Sequence, residues 1–368
     1  MHLDLYKDIH FSLISNIASY TKTYRCIRCG KYFKTHKQVN RHLRTCGSAV
    51  RLIYPGGIYS PAKSIFEEVK EYLGMEFSKG DSVYPYRNTY DFECMFKYND
   101  VPLRSENTEW AAKHIPMSVS LCSNVESFTE PKCFLSERHD TDATALIHSM
   151  IKYMLDIQEE ASRLLHEKYS AVLDRLDMEL CAVNHDSNKK LASFLKSLKA
   201  KFDRFLSEMI VVGFNSGKYD LNVIKKQLFG AFAALNEKVI FVVRKNNNYV
   251  CIKTDNLKIL DIVNYLAPGF SYAKYLKAFN CSVMKGYFPY EWLDSYDKLA
   301  ETSLPPKSAF YSTLTKTGIS DEEYNYCKDV WEKNGMSTFS DFLIWYNNLD
   351  TQPFLEAIDK QMKFYTDR

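Results

Sequence analysis

The chain has 368 residues, and its 48 lysines and arginines against 45 aspartates and glutamates leave a net charge of +3, too small to indicate any class of partner. Hydrophobic residues make up 46% and charged residues 25%, which excludes a wholly disordered chain. No apolar run reaches the roughly 18 residues of a membrane span, and the N-terminus lacks the apolar segment of a secretory signal, so no membrane partner is expected.

Charge is concentrated near the N-terminus. Between Ile9 and Phe66 there are ten lysines or arginines and no aspartate or glutamate. Such a basic stretch is typical of nucleic-acid binding, although a solvated basic surface explains it equally well. Residues 1–23 form a segment without an assigned role, and the ten cysteines favour a reducing, intracellular compartment without specifying which one.

Residues 24–50 contain a zinc-site spacing within the basic stretch. The candidate ligands are Cys26, Cys29, His42 and Cys46. The first two thiolates suit a hairpin, and the last two ligands, four positions apart, would share one helical face. Phe33 and Val39 would form the small core of a ββα finger, which needs structural Zn²⁺ for much of its folding free energy. This resembles a zinc finger of the two-Cys, His-Cys kind, which implies nucleic-acid contact, though many single fingers bind proteins.

Residues 51–84 are predicted to form a linker and a helix. The linker is PGGIYS at 55–60, and Ser60 and Pro61 would open the helix. The apolar face of this helix would carry Ile65, Val69 and Tyr72.

Residues 85–355 alternate strand and helix patterns, which predicts an α/β domain on a mixed sheet. The segments 89–96 and 117–124 are strand-like, and 143–208 has the periodicity of a helical hairpin inserted between strands. A buried strand at 209–215, a helix at 219–229 and three further strands follow. The C-terminal third is predicted to be helical, with a core formed by Trp331, Phe339, Phe342, Leu343 and Trp345.

Four carboxylates could converge in this domain. Asp91 and Glu93 are two apart in a strand and would share a face, while Asp220 begins a helix. Asp350 is predicted to lie in a late helix, with Tyr346 one turn before it on the same helical face. Converging carboxylates could bind two Mg²⁺ or Mn²⁺ ions, which activate a hydroxide and stabilise the leaving oxygen of a phosphodiester. Tyr346 could hydrogen-bond the attacking water.

Each element of this set also has a plainer explanation. D-x-E occurs often by chance in strands, a helix-start aspartate such as Asp220 usually only caps its helix, and Tyr-x3-Asp is often a packing and surface pair. The order and context of all the elements together favour a metal site.

Three motifs in this order resemble the exonuclease motifs of family B DNA polymerases of the DEDDy type: YDFE at 90–93, GFNSGKYD at 213–220 and YNNLD at 346–350. VMKGYF at 283–288 is similar to the Lys-x2-apolar motif of the protein-primed branch, which includes polymerases of Maverick/Polinton transposons, linear plasmids and some viruses. Flanking segments such as DIVNYLAPG also match transposon-type members, so the resemblance covers about residues 20–355.

The resemblance implies an RNase H-like exonuclease fold, preceded by the finger, that removes mismatched 3′ nucleotides from single-stranded DNA ends. The implied metal ligands are Asp91, Glu93, Asp220 and Asp350. Tyr346 would orient the nucleophilic water and Lys285 would assist catalysis. Asn215 and Phe288 would contact or position the 3′ single strand. A terminal protein primer and a polymerase domain are further partners that the resemblance suggests.

Two departures from the family pattern affect these expectations. Ile262 stands where the branch often has Ser or Thr, so one hydrogen bond to the single strand would be lost. YNYCKD at 324–329 is a rival third motif, but Asp329 is five residues after Tyr324 and three after Tyr326. The four-residue spacing of Tyr346 and Asp350 fits better.

No polymerase signature, neither D-x2-S-L-Y-P nor a late D-T-D, follows Asp350. Residues 356–368 are therefore expected to lead toward a polymerase domain that is missing here, and this chain alone should not add nucleotides. The sequence predicts the 3′–5′ exonuclease and DNA-binding part of a DNA-directed DNA polymerase. One alternative is a catalytically inactive, transposon-derived finger fragment that only binds DNA. Another is an RNA exonuclease with the same carboxylates.

Overall fold

The computed structural model describes residues 2–6, 10–14, 16–46, 63–105, 108–183, 188–281 and 286–366. The chain divides into two compact units, Met1–Ala62 and Lys63–Arg368. The boundary falls inside the segment 51–84 that the sequence predicted to hold a linker. No helix in the described ranges is long and apolar enough to cross a membrane.

The first unit consists of short elements. They are strands β1 (His2–Tyr6) and β2 (His10–Ile14), helix α1 (Ile17–Tyr20), strands β3 (Tyr24–Arg25) and β4 (Tyr32–Phe33), and helix α2 (His36–Leu43). β1 pairs with β2, and β3 with β4, both antiparallel. Thr35 begins α2 with a capping box, because its hydroxyl accepts from the Gln38 N–H while the Gln38 side chain accepts from the Thr35 N–H. The predicted ββα order is present between residues 24 and 43.

The second unit is built on a seven-stranded mixed sheet. Its strands are β5 (Arg87–Ser105), β6 (Thr108–Ser123), β7 (Lys132–Leu135), β8 (Met209–Gly213), β9 (Val239–Lys245), β10 (Asn248–Thr254) and β11 (Leu257–Asp261). They lie in the order β7-β6-β5-β8-β11-β10-β9. β8 is parallel to both β5 and β11, and the remaining pairs are antiparallel. The predicted α/β class with a mixed sheet is confirmed.

Nine α-helices lie in the described part of this unit. They are α3 (Ile65–Leu73), α4 (Thr144–Lys168), α5 (Ser170–Ala182), α6 (Lys189–Ser207), α7 (Asp220–Ala234), α8 (Tyr272–Ala278), α9 (Asp321–Lys333), α10 (Phe339–Asn348) and α11 (Gln352–Thr366). The predicted linker at 55–60 and the predicted helix start at Ser60 and Pro61 lie outside the described residues. The helix that carries Ile65 and Val69 begins later in the chain. α3 begins after Ser64, whose hydroxyl accepts from the Glu67 N–H and whose N–H donates to the Glu67 carboxylate.

The predicted helical hairpin at 143–208 consists of three helices, and the first of them is not an insertion. Buried residues of α4, among them Ile147 and Ile151, lie in one apolar cluster with sheet residues such as Val119 and Val211. Only α5 and α6 form a separate cluster, together with the end of α4 and with α3. The sequence missed this difference because the same apolar periodicity serves a helix on a sheet and a helix on other helices.

Helices α9 and α10 form a second apolar core, which they share with strands of the sheet. Phe339, Phe342 and Leu343 are fully buried, as predicted, and the predicted core residues Trp331 and Trp345 are partly buried against them. Residues of β5 and β6 belong to the same cluster. This packing places α10 and the residues that follow it against the central strands of the sheet.

Candidate metal centres

The four predicted zinc ligands converge in the first unit. The ligand atoms of Cys26, Cys29, His42 and Cys46 all lie within 4.8 Å of one another. The Cys26 and Cys46 sulfurs are 3.5 Å apart, and the Cys29 sulfur is 3.0 Å from His42 Nε2. These separations suit a tetrahedron around Zn²⁺, whose bonds to sulfur and nitrogen are about 2.0–2.3 Å long. α2 ends at Leu43, so Cys46 lies beyond the helix rather than on its face as predicted.

Local contacts shift the pKa values of the thiols in this site. Although burial acts to raise the pKa of the Cys26 thiol, the backbone N–H groups of Cys29 and Arg28 and the neighbouring thiols lower it to about 6. Burial and the adjoining thiols raise the pKa of Cys46 to about 11. Several thiolates this close together repel one another, and a bound cation removes that repulsion. The donor set of three sulfurs and one imidazole fits Zn²⁺.

The surface around this site is basic. Eight lysines and arginines of residues 22–44 have exposed side chains: Lys22, Arg25, Arg28, Lys31, Lys34, Lys37, Arg41 and Arg44. No acidic residue lies in this stretch. An anionic partner would therefore meet cations on both the hairpin and the helix.

Three of the four predicted acidic ligands converge in the second unit. Carboxylate oxygens of Asp91, Glu93 and Asp350 all lie within 4.8 Å of one another, although Asp350 is far from the other two in the chain. Glu93 and Asp350 are buried, each only 5% exposed, and Asp91 is half-buried. The rival Asp329 has an exposed side chain on α9 and is not in this group.

Asp91 and Glu93 lie in β5, and the pairing of β5 with β6 sets their positions. Asp91 pairs with Ser120 and Glu93 with Ser118, but Cys94 pairs with Pro116, so Met117 is an extra residue in β6. This bulge lies beside Glu93 and accommodates Pro116, which has no N–H to donate to the ladder.

The end of α10 is joined to β5 and β6 by amide and hydroxyl side chains. Asn347 Nδ2 donates to the backbone oxygen of Asp91 at 3.1 Å, and Ser118 donates to Asn347 Oδ1 at 2.9 Å. The Ser120 hydroxyl donates to Asn348 Oδ1 at 2.6 Å. These bonds hold the residues just before Asp350 against the strand that carries Asp91. Because α10 ends at Asn348, Asp350 lies just beyond the helix in which it was predicted.

Asp220 lies beside the trio and is not one of its closest members. It is 4% exposed and, with Asp91 and Glu93, lines a cavity of about 250 Å³. It is the first residue of α7, and the N-cap is Tyr219, so the expectation that Asp220 caps its helix does not hold. The Tyr219 hydroxyl lies 2.5 Å from His114 Nδ1, which fixes the residue preceding Asp220.

The loop between β8 and α7 is held by a carboxylate that sequence reasoning missed. Asp261, at the end of β11, accepts backbone N–H bonds from Asn215 (2.9 Å), Gly217 (3.0 Å) and Val263 (3.0 Å). Asn215 has a positive φ of 57°, and a Cβ at Gly217 would lie 2.1 Å from the backbone oxygen of Tyr249. Burial nevertheless raises the pKa of Asp261. An aspartate ending a buried strand was the only signal available in the sequence.

Tyr346 is placed next to the carboxylates by aromatic packing. It is 1% exposed, its ring stacks on Phe288 with centroids 4.7 Å apart, and its hydroxyl lies 2.6 Å from that of Tyr290. Burial, the neighbouring Tyr290 and the charges of Asp350 and Glu93 raise its pKa well above 10. Tyr346 is therefore a neutral hydroxyl at physiological pH. Tyr290, which also lines the cavity with Asp220, was not identified from the sequence.

The predicted substrate-contacting residues have different environments. Asn215 lines both the cavity beside Asp220 and a second cavity of about 430 Å³ that is shared by Asp91 and Asp350. Phe288 is only 6% exposed, so in this structure its ring supports Tyr346 rather than facing the cavities. Ile262 is buried in a cluster with Val212 and Phe354. Lys285 lies outside the described residues.

Comparison with protein-family models gave no match. No curated protein and no solved structure matches the chain significantly either.

Proposed function

We propose that this chain carries a metal-dependent 3′–5′ exonuclease for single-stranded DNA ends and a nucleic-acid-binding zinc finger, as the N-terminal part of a protein-primed family B DNA polymerase. The observation that carries the exonuclease proposal is the grouping of Asp91, Glu93 and Asp350 within 4.8 Å. Residues so distant in the chain meet only because the fold brings them together. The motif order supports the same proposal.

The donor chemistry fits Mg²⁺ or Mn²⁺. The group offers carboxylate oxygens alone, which hard divalent ions prefer, and two of its carboxylates are buried. Burying like charges together is unfavourable unless a cation joins them. When bound, such ions supply a nucleophilic hydroxide and neutralise charge on the phosphodiester.

The remaining roles follow from the side chains of the chain itself. Tyr346 keeps its proton, and its hydroxyl, held by Tyr290, can orient a water beside the carboxylates. Asn215 lies on the wall of both cavities, where an amide can hydrogen-bond a base or sugar. The mixed sheet with helices packed on it is compatible with the RNase H-like fold that the motifs imply.

The test is release of 3′ nucleotides from a labelled single-stranded DNA oligonucleotide in Mg²⁺ or Mn²⁺. We expect Asp91→Asn and Asp350→Asn to reduce the rate by more than the roughly 10–100-fold that loss of an outer-shell partner costs. Asp329→Asn, in the rival motif, is the matched control and should keep full activity. Unchanged release in Asp91→Asn, or loss in Asp329→Asn, would contradict the assignment.

A matched RNA oligonucleotide separates DNA from RNA exonuclease activity, because the 2′-hydroxyl is what distinguishes the two substrates. Preferential RNA degradation would replace the DNA proposal. Salt-sensitive DNA binding without nucleotide release in either metal would instead favour the inactive DNA-binding fragment.

Reversing the charges of the zinc finger, as in Arg28→Glu with Arg41→Glu, should weaken DNA binding and reduce its salt dependence if the finger contacts phosphates.

A further inference from the structure

The outer edge of the sheet at β9 is apolar and exposed. β9 is the last strand in the sheet order and pairs only with β10 among the described strands. Four consecutive large apolar side chains are substantially exposed there: Ile240 50%, Phe241 44%, Val242 37% and Val243 46%. An edge strand of this kind presents main-chain donors and acceptors to any other extended segment, and natural proteins usually block it with charges, bulges or a covering element.

Both faces of this edge continue the packed faces of β10. Val242 pairs with Ile252, which is fully buried, and Val243 pairs with Cys251, which is 8% exposed. Phe241, on the same face as Val243, pairs with Lys253, which is ion-paired with Glu208. A further strand beside β9 would therefore extend an apolar surface on the Val242 face and a mixed one on the other. Exposed apolar residues in one continuous row mark an interaction site more often than scattered single ones do.

The charges beside this row select the partner. Exposed Lys238 precedes it, and exposed Arg244 and Lys245 follow it, so both ends are positive. Antiparallel pairing of β9 with a second β9, centred between Phe241 and Val242, would place Lys238 opposite Lys245. Like charges directly opposite each other destabilise a strand pair. A second copy of this chain is thus a poor partner, and a segment with acidic ends is a good one.

We propose that the edge of β9 binds an extended peptide segment of another protein, with β-branched residues in its centre and Asp or Glu at both ends, by addition of a strand to the sheet. Main-chain hydrogen bonds would supply affinity, and the apolar row and flanking cations would set register and specificity. The inference does not depend on the proposed nuclease activity.

The test uses a fluorescein-labelled peptide of sequence EEVTVTVEE and fluorescence anisotropy with the full chain. We expect saturable binding that weakens with salt, and much weaker binding of KKVTVTVKK. An EEVTVTVEE peptide N-methylated at every amide of its central VTVTV segment lacks main-chain donors on both edges and should not bind. Equal binding of the acidic, basic and methylated peptides, or absence of binding by all three, would overturn the proposal.

Three variants assign the binding to β9. Phe241→Lys should weaken binding by about tenfold or more, because it places a charge in the apolar row. Met178→Lys is the matched control, since Met178 is 63% exposed on α5, and it should bind normally. Lys238→Glu with Lys245→Glu should reverse the preference between acidic and basic peptides. Circular dichroism verifies that each variant is folded, and retained binding in folded Phe241→Lys would exclude β9.

Two other occupants would give distinct results and would each overturn the proposal. Concentration-dependent dimerisation in sedimentation velocity, abolished by Ile240→Lys, would identify a second copy of the chain. Failure to bind the peptide, with oligonucleotide binding reduced by Phe241→Lys, would identify nucleic acid.

Discussion

The zinc-site module (the first module, residues 24–46) and the α/β unit (Lys63–Arg368) each bring metal-binding side chains within 4.8 Å of one another. The first module depends on its metal ligands for its fold, whereas the α/β unit holds its carboxylates together by its own packing. Among the described residues 16–46, only Cys26, Val39 and Cys46 are buried, and two of these are ligands. The α/β unit has extensive apolar clusters that hold its carboxylates together. Metal binding should therefore supply much of the folding free energy of the first module. In the α/β unit the packing holds together carboxylates whose mutual repulsion lowers the free energy of unfolding.

The largest expected effect is zinc removal from the first module. Chelation, or Cys26→Ser, should unfold residues 24–46, because zinc binding supplies about 10–16 kcal/mol in small zinc modules. All four tryptophans lie beyond residue 62, so their fluorescence reports the α/β unit alone. That signal and its thermal transition should be unchanged. Loss of the tryptophan transition together with zinc would contradict the independence of the two folds.

Truncation of a buried side chain in the α/β unit should destabilise that unit and leave the first module unaffected. Phe342 is fully buried against Phe288, Phe339 and Trp345, so Phe342→Ala should cost the α/β unit about 3–5 kcal/mol. Phe342→Leu keeps most of the volume and should cost less than half as much. Chemical denaturation measures both, with zinc retention as the control for the first module. Equal losses of unfolding free energy in the two variants would show that the stability does not depend on filling this volume.

The acidic site should make the α/β unit sensitive to divalent ions. Mg²⁺ or Mn²⁺ at 100 times its dissociation constant should stabilise the unit by about 2.7 kcal/mol. Asp350→Asn should be more stable than the native chain in EDTA, because one of three close charges is removed, and it should gain less from metal. Thermal denaturation with and without metal measures this, with Asp329→Asn as the matched control. Equal metal stabilisation in native and Asp350→Asn proteins would place the ion elsewhere.

A smaller, pH-dependent effect is expected at the turn before β5. Asp81 accepts hydrogen bonds from Lys168, Ser78 and Tyr169, and Lys168 and then Ser78 hold its pKa well below 3.8. Because folding lowers this pKa, the stabilisation is complete above about pH 4 and is lost as the pH falls further.

Asp81→Asn should therefore cost about 1–2 kcal/mol at pH 7 and progressively less below pH 4. Urea unfolding at a series of pH values measures the difference. Asp177→Asn is the control, because the Asp177 side chain, ion-paired with Lys199, is 53% exposed and that of Asp81 only 15%, and it should have little effect at any pH. A cost for Asp81→Asn that does not change between pH 7 and pH 3 would contradict the linkage.

Much of the local structure was predictable because it depends on local pattern. The ββα order follows from ligand spacing and apolar periodicity, and the strands around Asp91 and at 209–215 follow from runs of strand-forming residues. Boundaries were less predictable. The start of α3 depends on Ser64 and Glu67 as a capping pair, which the Ser60-Pro61 dipeptide upstream obscured. That α4 packs on the sheet depends on non-local contacts that periodicity does not contain.

The sequence by itself determined which residues could bind metal, since spacing and residue type limit the candidates to cysteines, a histidine and a few aspartates and glutamates. The four-residue spacing from Tyr346 already favoured Asp350 over Asp329. Only the tertiary structure decided that Asp350 meets Asp91 and Glu93, that Asp220 lies beside the trio, and that Asp261 holds the loop between β8 and α7. The physical reason is distance along the chain. Local spacing sets which side chains share a strand or helix face, whereas strand order and helix packing set which faces meet.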